Sequence, residues 1–189
     1  ESWNLRSLHV RVKGETRECI TLLSDDSPAT EIIEPFSVTE SDTPQKLLSQ
    51  LKAESSYDAL VVCGTVPVGI SESIYADIVR AAKTDIVIWD SVMGLTQEVL
   101  DRITWIKVNA EEFAKLPTNK SQTHSILITN GPEAAQVINA DGADGMYILP
   151  PLAETRNSIG AGDTVTAVLI DGILRNHDTE TLVKRALAH

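Results

Sequence analysis

The sequence predicts an α/β fold, a mostly parallel central sheet between helices, with a small β-rich segment ahead of it. Three observations carry that expectation. From Asp58 onward, short continuous apolar runs recur: ALVVCG (59–64), DIVIWD (85–90), TWIKVN (104–109) and SILITNG (125–131). Stretches with helical spacing separate them, and runs apolar on both faces that alternate with helices require a parallel sheet covered on both sides. The first third has a different rhythm, with alternating or β-branched segments divided by polar turns.

Taken in order, LHVRVK (8–13), ECITLLS (18–24) and ATEIIE (29–34) are expected strands, separated by Gly14 and by SDDSP. Thr43-Pro44 opens a helix, with proline at the first helical position and Leu47, Leu48 and Leu51 on one face. The strand at 59–64 is followed by a helix from about Glu72 to Lys83, and that at 85–90 by one around 96–102. A short helix near 110–116 follows the third apolar run. After the fourth, 134–139 and 145–149 read as a meander on the sheet's edge. The tail is helical over 160–175 and again from Asp178. Residues 1–40 are thus expected to form a β-rich, lid-associated lobe, and 41–189 one α/β core.

At 189 residues and 42% apolar content the chain suits one domain with a small appendage. A net charge of −11 argues against non-specific binding of nucleic acid or anionic membrane, because there is no basic patch to pair with phosphates. Cys19 and Cys63 lie too far apart for a CxxC metal site and are too few for a disulfide framework. That usage is consistent with a reducing compartment, and a cytoplasmic location is expected. No apolar run approaches the ~20 residues of a membrane span. The first residues lack the apolar core of a signal peptide. Asn119-Lys120-Ser121 matches a glycosylation triplet that is common by chance. The Walker lysine motif, GxGxxG and HExxH are absent, and His9, His124, His177 and His189 show no ligand spacing.

In open α/β sheets, ligands sit beyond the C-terminal ends of the strands. CGTVPVG, WDS, KVNAEE and TNG all fall at such ends, so their polar residues are expected on one rim. RNSIGAGDTVTAVLIDGIL (156–174) is read separately: Val165, Val168, Leu169 and Ile173 recur at helical spacing behind Gly160-Ala161-Gly162. Backbone N–H groups at that helix start are unpaired donors at its positive end, and glycine lets an anion approach closely. Asp163 would there be a base, taking the proton of a hydroxyl that attacks a phosphoryl group held by the same turn. It would equally suit an ordinary first helical turn, where an acid favours the dipole. Asn109 and Glu112 stand three apart, a spacing that serves Mg²⁺ or a capping box. Lys107 is available to a nucleotide phosphate. Thr129-Asn130-Gly131-Pro132 and Gly64-Thr65-Val66-Pro67-Val68-Gly69 read either as site loops or as plain connections.

Together these segments resemble the ribokinase-like (PfkB) carbohydrate kinases. GTVPVG followed by YADIV is similar to that family's G-S-L-P-x-G with its downstream tyrosine, and WDSVMG to its D-S-x-G. KVNAEE is similar to K-P-N-x-x-E, ITNGPEAA to T-x-G-x-x-G-A, and NSIGAGD to D-T-x-G-A-G-D. Five motifs occur in order over 59–175, with Val108, Ala134 and Val68 replacing a proline, a glycine and a proline of the pattern. GETRECITLLSDDSPATEIIEP resembles the sugar-phosphate kinases of the family, the tagatose-6-phosphate kinase, 1-phosphofructokinase and minor 6-phosphofructokinase branch, and Asn157, where many members have Asp, is similar to the tagatose-phosphate branch.

The resemblance implies a ribokinase-like three-layer sandwich with a small β-rich lid. It implies ATP-dependent phosphorylation of a sugar phosphate, with Asp163 as general base and the amides of Gly160, Ala161 and Gly162 as anion hole. Lys107, Thr129 and Gly131 would contact ATP, Asn109 and Glu112 would manage Mg²⁺, and Arg17 would reach the sugar's phosphate. Homodimers through the lid are a further implication. The family's Gly-Gly-Asn segment, and the acid that grips the sugar hydroxyls, have no counterpart among these residues, so the chain is expected to be a fragment. That gap and the substituted ATP-loop residues leave a non-catalytic, kinase-derived binding or regulatory module as an alternative. A kinase of an unphosphorylated sugar or a nucleoside is another.

Overall fold

The computed structural model describes residues 7–24, 27–54, 56–116, 124–140, 145–151 and 159–188. β1 (Cys19–Ser24) and β2 (Ser27–Ile33) pair antiparallel as a separate two-stranded ribbon, with a bulge between Leu22 and Ser24. The segment 8–13, expected as a strand, has no ladder. Half-buried Leu8, Val10 and Val12 do alternate with exposed His9, Arg11 and Lys13. Its backbone is bonded to side chains instead: Lys13 N–H donates to Glu40 Oε1 at 2.7 Å, and the His9 carbonyl accepts from Gln50 Nε2 at 3.1 Å. The period of the sequence is therefore a strand's, but its partners are side chains, that of Gln50 on the following helix.

That helix is α1 (Thr43–Ala53), with Pro44 in its first turn. Then follow β3 (Leu60–Cys63), α2 (Ile74–Ala82), β4 (Val87–Asp90), α3 (Gln97–Leu100), β5 (Trp105–Asn109), α4 (Ala110–Phe113) and β6 (Ser125–Thr129). β7 (Ala135–Ile138), β8 (Met146–Ile148), α5 (Ala161–Leu174) and α6 (Thr179–Leu187) complete the order. The six strands β3 to β8 form one sheet in sequence order, parallel through β6 and antiparallel beyond it.

Strand alternation distributes the core between two layers of helix. Trp89, Ile106, Val108, Ile126 and Ile128 pack with Tyr75 and Val79 of α2 and with Val99 and Leu100 of α3. On the opposite face Ile88, Trp105, Leu127 and Val137 pack with Leu169 of α5 and with Leu182 and Val183 of α6. The result is a three-layer α/β sandwich. Each fully buried side chain of this size stabilises the fold by about 1.5–3 kcal/mol. Trp89 contributes most volume, edge-on to Tyr75 at 5.3 Å between centroids, its Nε1–H donating to the Met93 carbonyl at 3.1 Å.

The layers settle where polar chemistry can sit. Parallel strands end at a common edge, so Cys63 pairs with Asp90, and Asn109 with Thr129. Asn157 and Asn119-Lys120-Ser121 lie outside the described residues.

Candidate active site

The site begins with a residue that points inward. Ile106 and Val108 face the α2–α3 layer, so alternation turns Lys107 the other way, beneath the start of α5. Lys107 is 7% exposed, and its ammonium lies 3.1 and 3.2 Å from the two carboxylate oxygens of Asp90. Asp90 Oδ2 also accepts a 2.6 Å hydrogen bond from the hydroxyl of Thr166, one turn into α5. That hydroxyl sits 3.1 Å from the Gly162 carbonyl. Lys107 is therefore not an open cation on the rim, as the sequence alone allows. It is a buried charge that ties two strands to a helix start.

Glycine at 162 follows from this placement. A Cβ there would stand 2.8 Å from the Lys107 ammonium nitrogen, closer than such atoms come. Gly160 serves a different need: its φ of +79° is left-handed, where side chains are strained, and space is open beside it. α5 thus starts on a backbone turn that no described side chain covers, with Asp163 exposed in its first turn. The ammonium, its charge balanced by Asp90, lies beside the partial positive charge of the helix N-terminus.

Asn109 and Glu112 form a reciprocal capping box at α4. Asn109 Oδ1 accepts from the Glu112 N–H and Glu112 Oε2 from the Asn109 N–H, both at 2.8 Å. Capping is thus present, and it also fixes both side chains. A carboxylate has two oxygens and about four acceptor positions, so a capped Glu112 retains capacity for a hydrated cation. The described residues contain no group of three or more His, Cys, Asp or Glu side chains arranged for a metal. The fit is to Mg²⁺ that keeps most of its waters.

Thr129 ends β6 beside Asn109, its hydroxyl 3.4 Å from the Val108 carbonyl. Gly131 follows in an exposed turn at φ +55°, with no described atom near its open side. The loop after β3 is braced from below: Ser91 and Tyr75 hydroxyls both donate to the Gly64 carbonyl, at 3.0 and 3.4 Å. Thr65 and Pro67 of this loop line a cavity of about 630 Å³, whose other wall includes Arg17.

Three residues of the site went unassigned in the sequence: Asp90, Thr166 and Cys63. Cys63 ends β3 beside Asp90, and its thiol is pushed up by burial first, then by the negative charges of Asp90 and Asp163, with Lys107 opposing. Asp90 had a signal, since aligning the ends of β4 and β5 sets it against Lys107. Thr166 had none, being one polar position on a helix.

A family model described as "pfkB family carbohydrate kinase" matches residues 1–189. Among curated proteins, tagatose-6-phosphate kinase of Staphylococcus epidermidis is 28% identical over 210 residues, covering 100% of this chain and 67% of its own. The 1-phosphofructokinase of Escherichia coli K12 is 26% identical over 197 residues, covering 94% and 62%. Among solved structures, Arabidopsis thaliana ribokinase complexed with ribose and ATP superposes with a TM-score of 0.62 at 19% identity, covering 92% of this chain and 61% of its own. The chain thus spans about two-thirds of the length of the proteins it matches.

Proposed function

Since this chain belongs to the pfkB family of carbohydrate kinases, we propose that it carries the catalytic core of an ATP-dependent sugar-phosphate kinase. Its relatives named tagatose-6-phosphate kinase and 1-phosphofructokinase support a phosphorylated sugar as acceptor. The observation that carries the reading is Asp163, exposed in the first turn of α5 beside the open Gly160 turn.

In this reading the Gly160, Ala161 and Gly162 amides hold the migrating phosphoryl group, with the Lys107–Asp90 pair bracing the turn from beneath. Asp163 accepts the proton of the attacking hydroxyl as its oxygen bonds to phosphorus and the ADP oxygen leaves. Positioning and charge neutralisation are what this transfer chiefly requires. Asn109 and Glu112 would hold Mg²⁺, which supplies further neutralisation when bound. Thr129 and Gly131 lie where nucleotide would pass, and Arg17 faces the acceptor's phosphate from the cavity wall. Ile20, Leu22, Leu23, Ile32 and Ile33 of the β1–β2 ribbon are 47–58% exposed, which supports pairing of two copies through the lid.

The test is Asp163→Asn in the full-length protein, assayed for ADP release over a panel of phosphorylated and free sugars. Turnover is expected to fall by about 10²–10⁴-fold while MgATP still binds. A variant that turns over like wild type sinks the assignment.

A further inference from the structure

Asp90 has no part in the kinase reading, yet it holds two pieces of that site at once. It ends β4 with its side chain 12% exposed. Its carboxylate oxygens lie 3.1 and 3.2 Å from the Lys107 ammonium, and one of them accepts the Thr166 hydroxyl at 2.6 Å. A hydroxyl has one proton to give. Inside a helix, threonine commonly gives it to the carbonyl four residues back. Here that carbonyl belongs to Gly162 and is farther away, at 3.1 Å. The shorter, charge-assisted bond takes the proton. Thr166 is thus an arm from α5 to the sheet.

The arm lies where the helix has no other anchor. The buried residues of α5 are Thr166, Leu169 and Gly172, so no side chain ahead of Thr166 is buried. Leu169 packs the body of the helix on the sheet, but apolar contact is not directional, whereas a hydrogen bond is. Asp163 and Thr166 stand three apart, on one face of the helix, so the direction of Thr166 sets that of Asp163. Lys107 is the other piece. Its ammonium is 2.8 Å from where a Cβ on Gly162 would stand. Without a counter-charge it would pull on any phosphate held by the turn, and Asp90 supplies the counter-charge.

We propose that Asp90 is a positioning residue for phosphoryl transfer. Through Thr166 it orients Asp163 and the Gly160–Gly162 turn, and through Lys107 it keeps that turn from holding phosphate too tightly. The inference rests on the kinase reading and adds to it the device that aims the base. Stability alone does not require such a pair, since desolvation offsets its attraction and apolar side chains fill the same space as well. What the pair and the arm add is direction. A displacement of about 1 Å at a reacting group can cost about 10²-fold in rate, so loss of the arm is read in kcat.

The experiment compares full-length wild type with Thr166→Val, Thr166→Ser and Asp90→Asn. Steady-state ADP release is measured with the best acceptor of the sugar panel, MgADP binding by calorimetry, and folding by thermal melting. Thr166→Val keeps the shape of the side chain and loses the hydroxyl; its kcat is expected to fall about tenfold or more, with KM for MgATP within about twofold. Thr166→Ser returns the hydroxyl and should return kcat, which a packing role would not do. Asp90→Asn is expected to lower kcat while binding MgADP about threefold or more tightly, because the ammonium has lost its counter-charge. Turnover of Thr166→Val like wild type, no recovery in Thr166→Ser, or MgADP binding by Asp90→Asn no tighter than wild type overturns the inference. Should Asp90→Asn not fold, the two Thr166 variants decide. Failure of the kinase reading is distinct, because it is a wild type that releases no ADP with any sugar. Hydrogen exchange at the amides of Thr164, Val165 and Thr166 reads the arm without turnover: it is expected to quicken about tenfold in Thr166→Val and not in Thr166→Ser. Equal exchange in wild type and Thr166→Val overturns the arm whatever the activity.

Discussion

Lys107 and Asp90 put a demanding interaction under the site: an ion pair whose side chains are 9% and 12% exposed. Such a pair is weak evidence of stability in itself, because desolvation offsets much of the attraction. Removing one partner is another matter, since the other is left buried and charged. Lys107→Met is therefore expected to cost about 3–5 kcal/mol, measured by denaturant unfolding. The double variant Lys107→Met/Asp90→Leu should recover most of that, and costs that simply add would refute the pairing. His124 gives a second prediction at this scale. It is 7% exposed, its Nδ1 has no hydrogen-bond partner among the described residues, and burial lowers its pKa, partly opposed by a hydrogen bond to the backbone of Leu100. The unfolded chain protonates His124 near the ordinary value of about 6.5, while the folded chain resists. Its contribution to stability is complete above that pH and is lost as pH falls below it. The melting temperature should drop from pH 7.5 to pH 5.5, and His124→Phe should flatten that slope. An identical slope in the variant would remove His124 from the account.

The start of α5 is where the residue-scale pair becomes a property of an element. Gly160 and Gly162 look interchangeable in the sequence, yet their constraints differ. Alanine at 160 would be forced into a left-handed conformation, at about 1–2 kcal/mol, in any background. Alanine at 162 has ordinary backbone but would displace the ammonium 2.8 Å away. The cost of Gly162→Ala should therefore vanish to within about 0.5 kcal/mol in a Lys107→Ala background, whereas that of Gly160→Ala should persist. Equal behaviour of the two in both backgrounds, read by thermal unfolding, would defeat the distinction. The same element marks how far sequence reasoning reaches. Apolar period and turn residues located the four parallel strands, the edge meander and α5, because burial on one or two faces writes itself into spacing. The alternation of Leu8, Val10 and Val12 was equally legible, but a period does not name its partner, and the side chains of Glu40 and Gln50 took the place of a strand. At the site the glycines and Asp163 stood out as local signals. Thr166 did not, because its role exists only across 76 positions of chain, through the 2.6 Å bond to Asp90.

At the scale of the molecule, the β1–β2 ribbon is the part whose burial is incomplete. A two-stranded ribbon is marginal by itself, and this one exposes Ile20 and Ile32 directly across from each other, at 47% and 51%. Its attachment to the core is narrow. Val38 N–H donates to the Val68 carbonyl at 2.8 Å and Val68 N–H to the Phe36 carbonyl at 3.0 Å, forming an isolated bridge beside the β3 loop. Gly69 is required there, since a Cβ would fall 2.2 Å from the Val38 carbonyl oxygen. The ribbon is thus held at its base while Ile20, Leu22, Leu23, Ile32 and Ile33 stay exposed, the arrangement expected of a surface that meets another copy. Replacing Ile20 and Ile32 together by Lys places like charges opposite one another and makes that surface costly to cover. The full-length wild type is expected to sediment as a dimer, and the Ile20→Lys/Ile32→Lys variant as a monomer. Both substitutions lie outside the sandwich core, so the variant's unfolding transition should keep its cooperativity. A wild type that is monomeric at tens of micromolar, or a double variant that remains dimeric, would show that the lid is not the pairing surface.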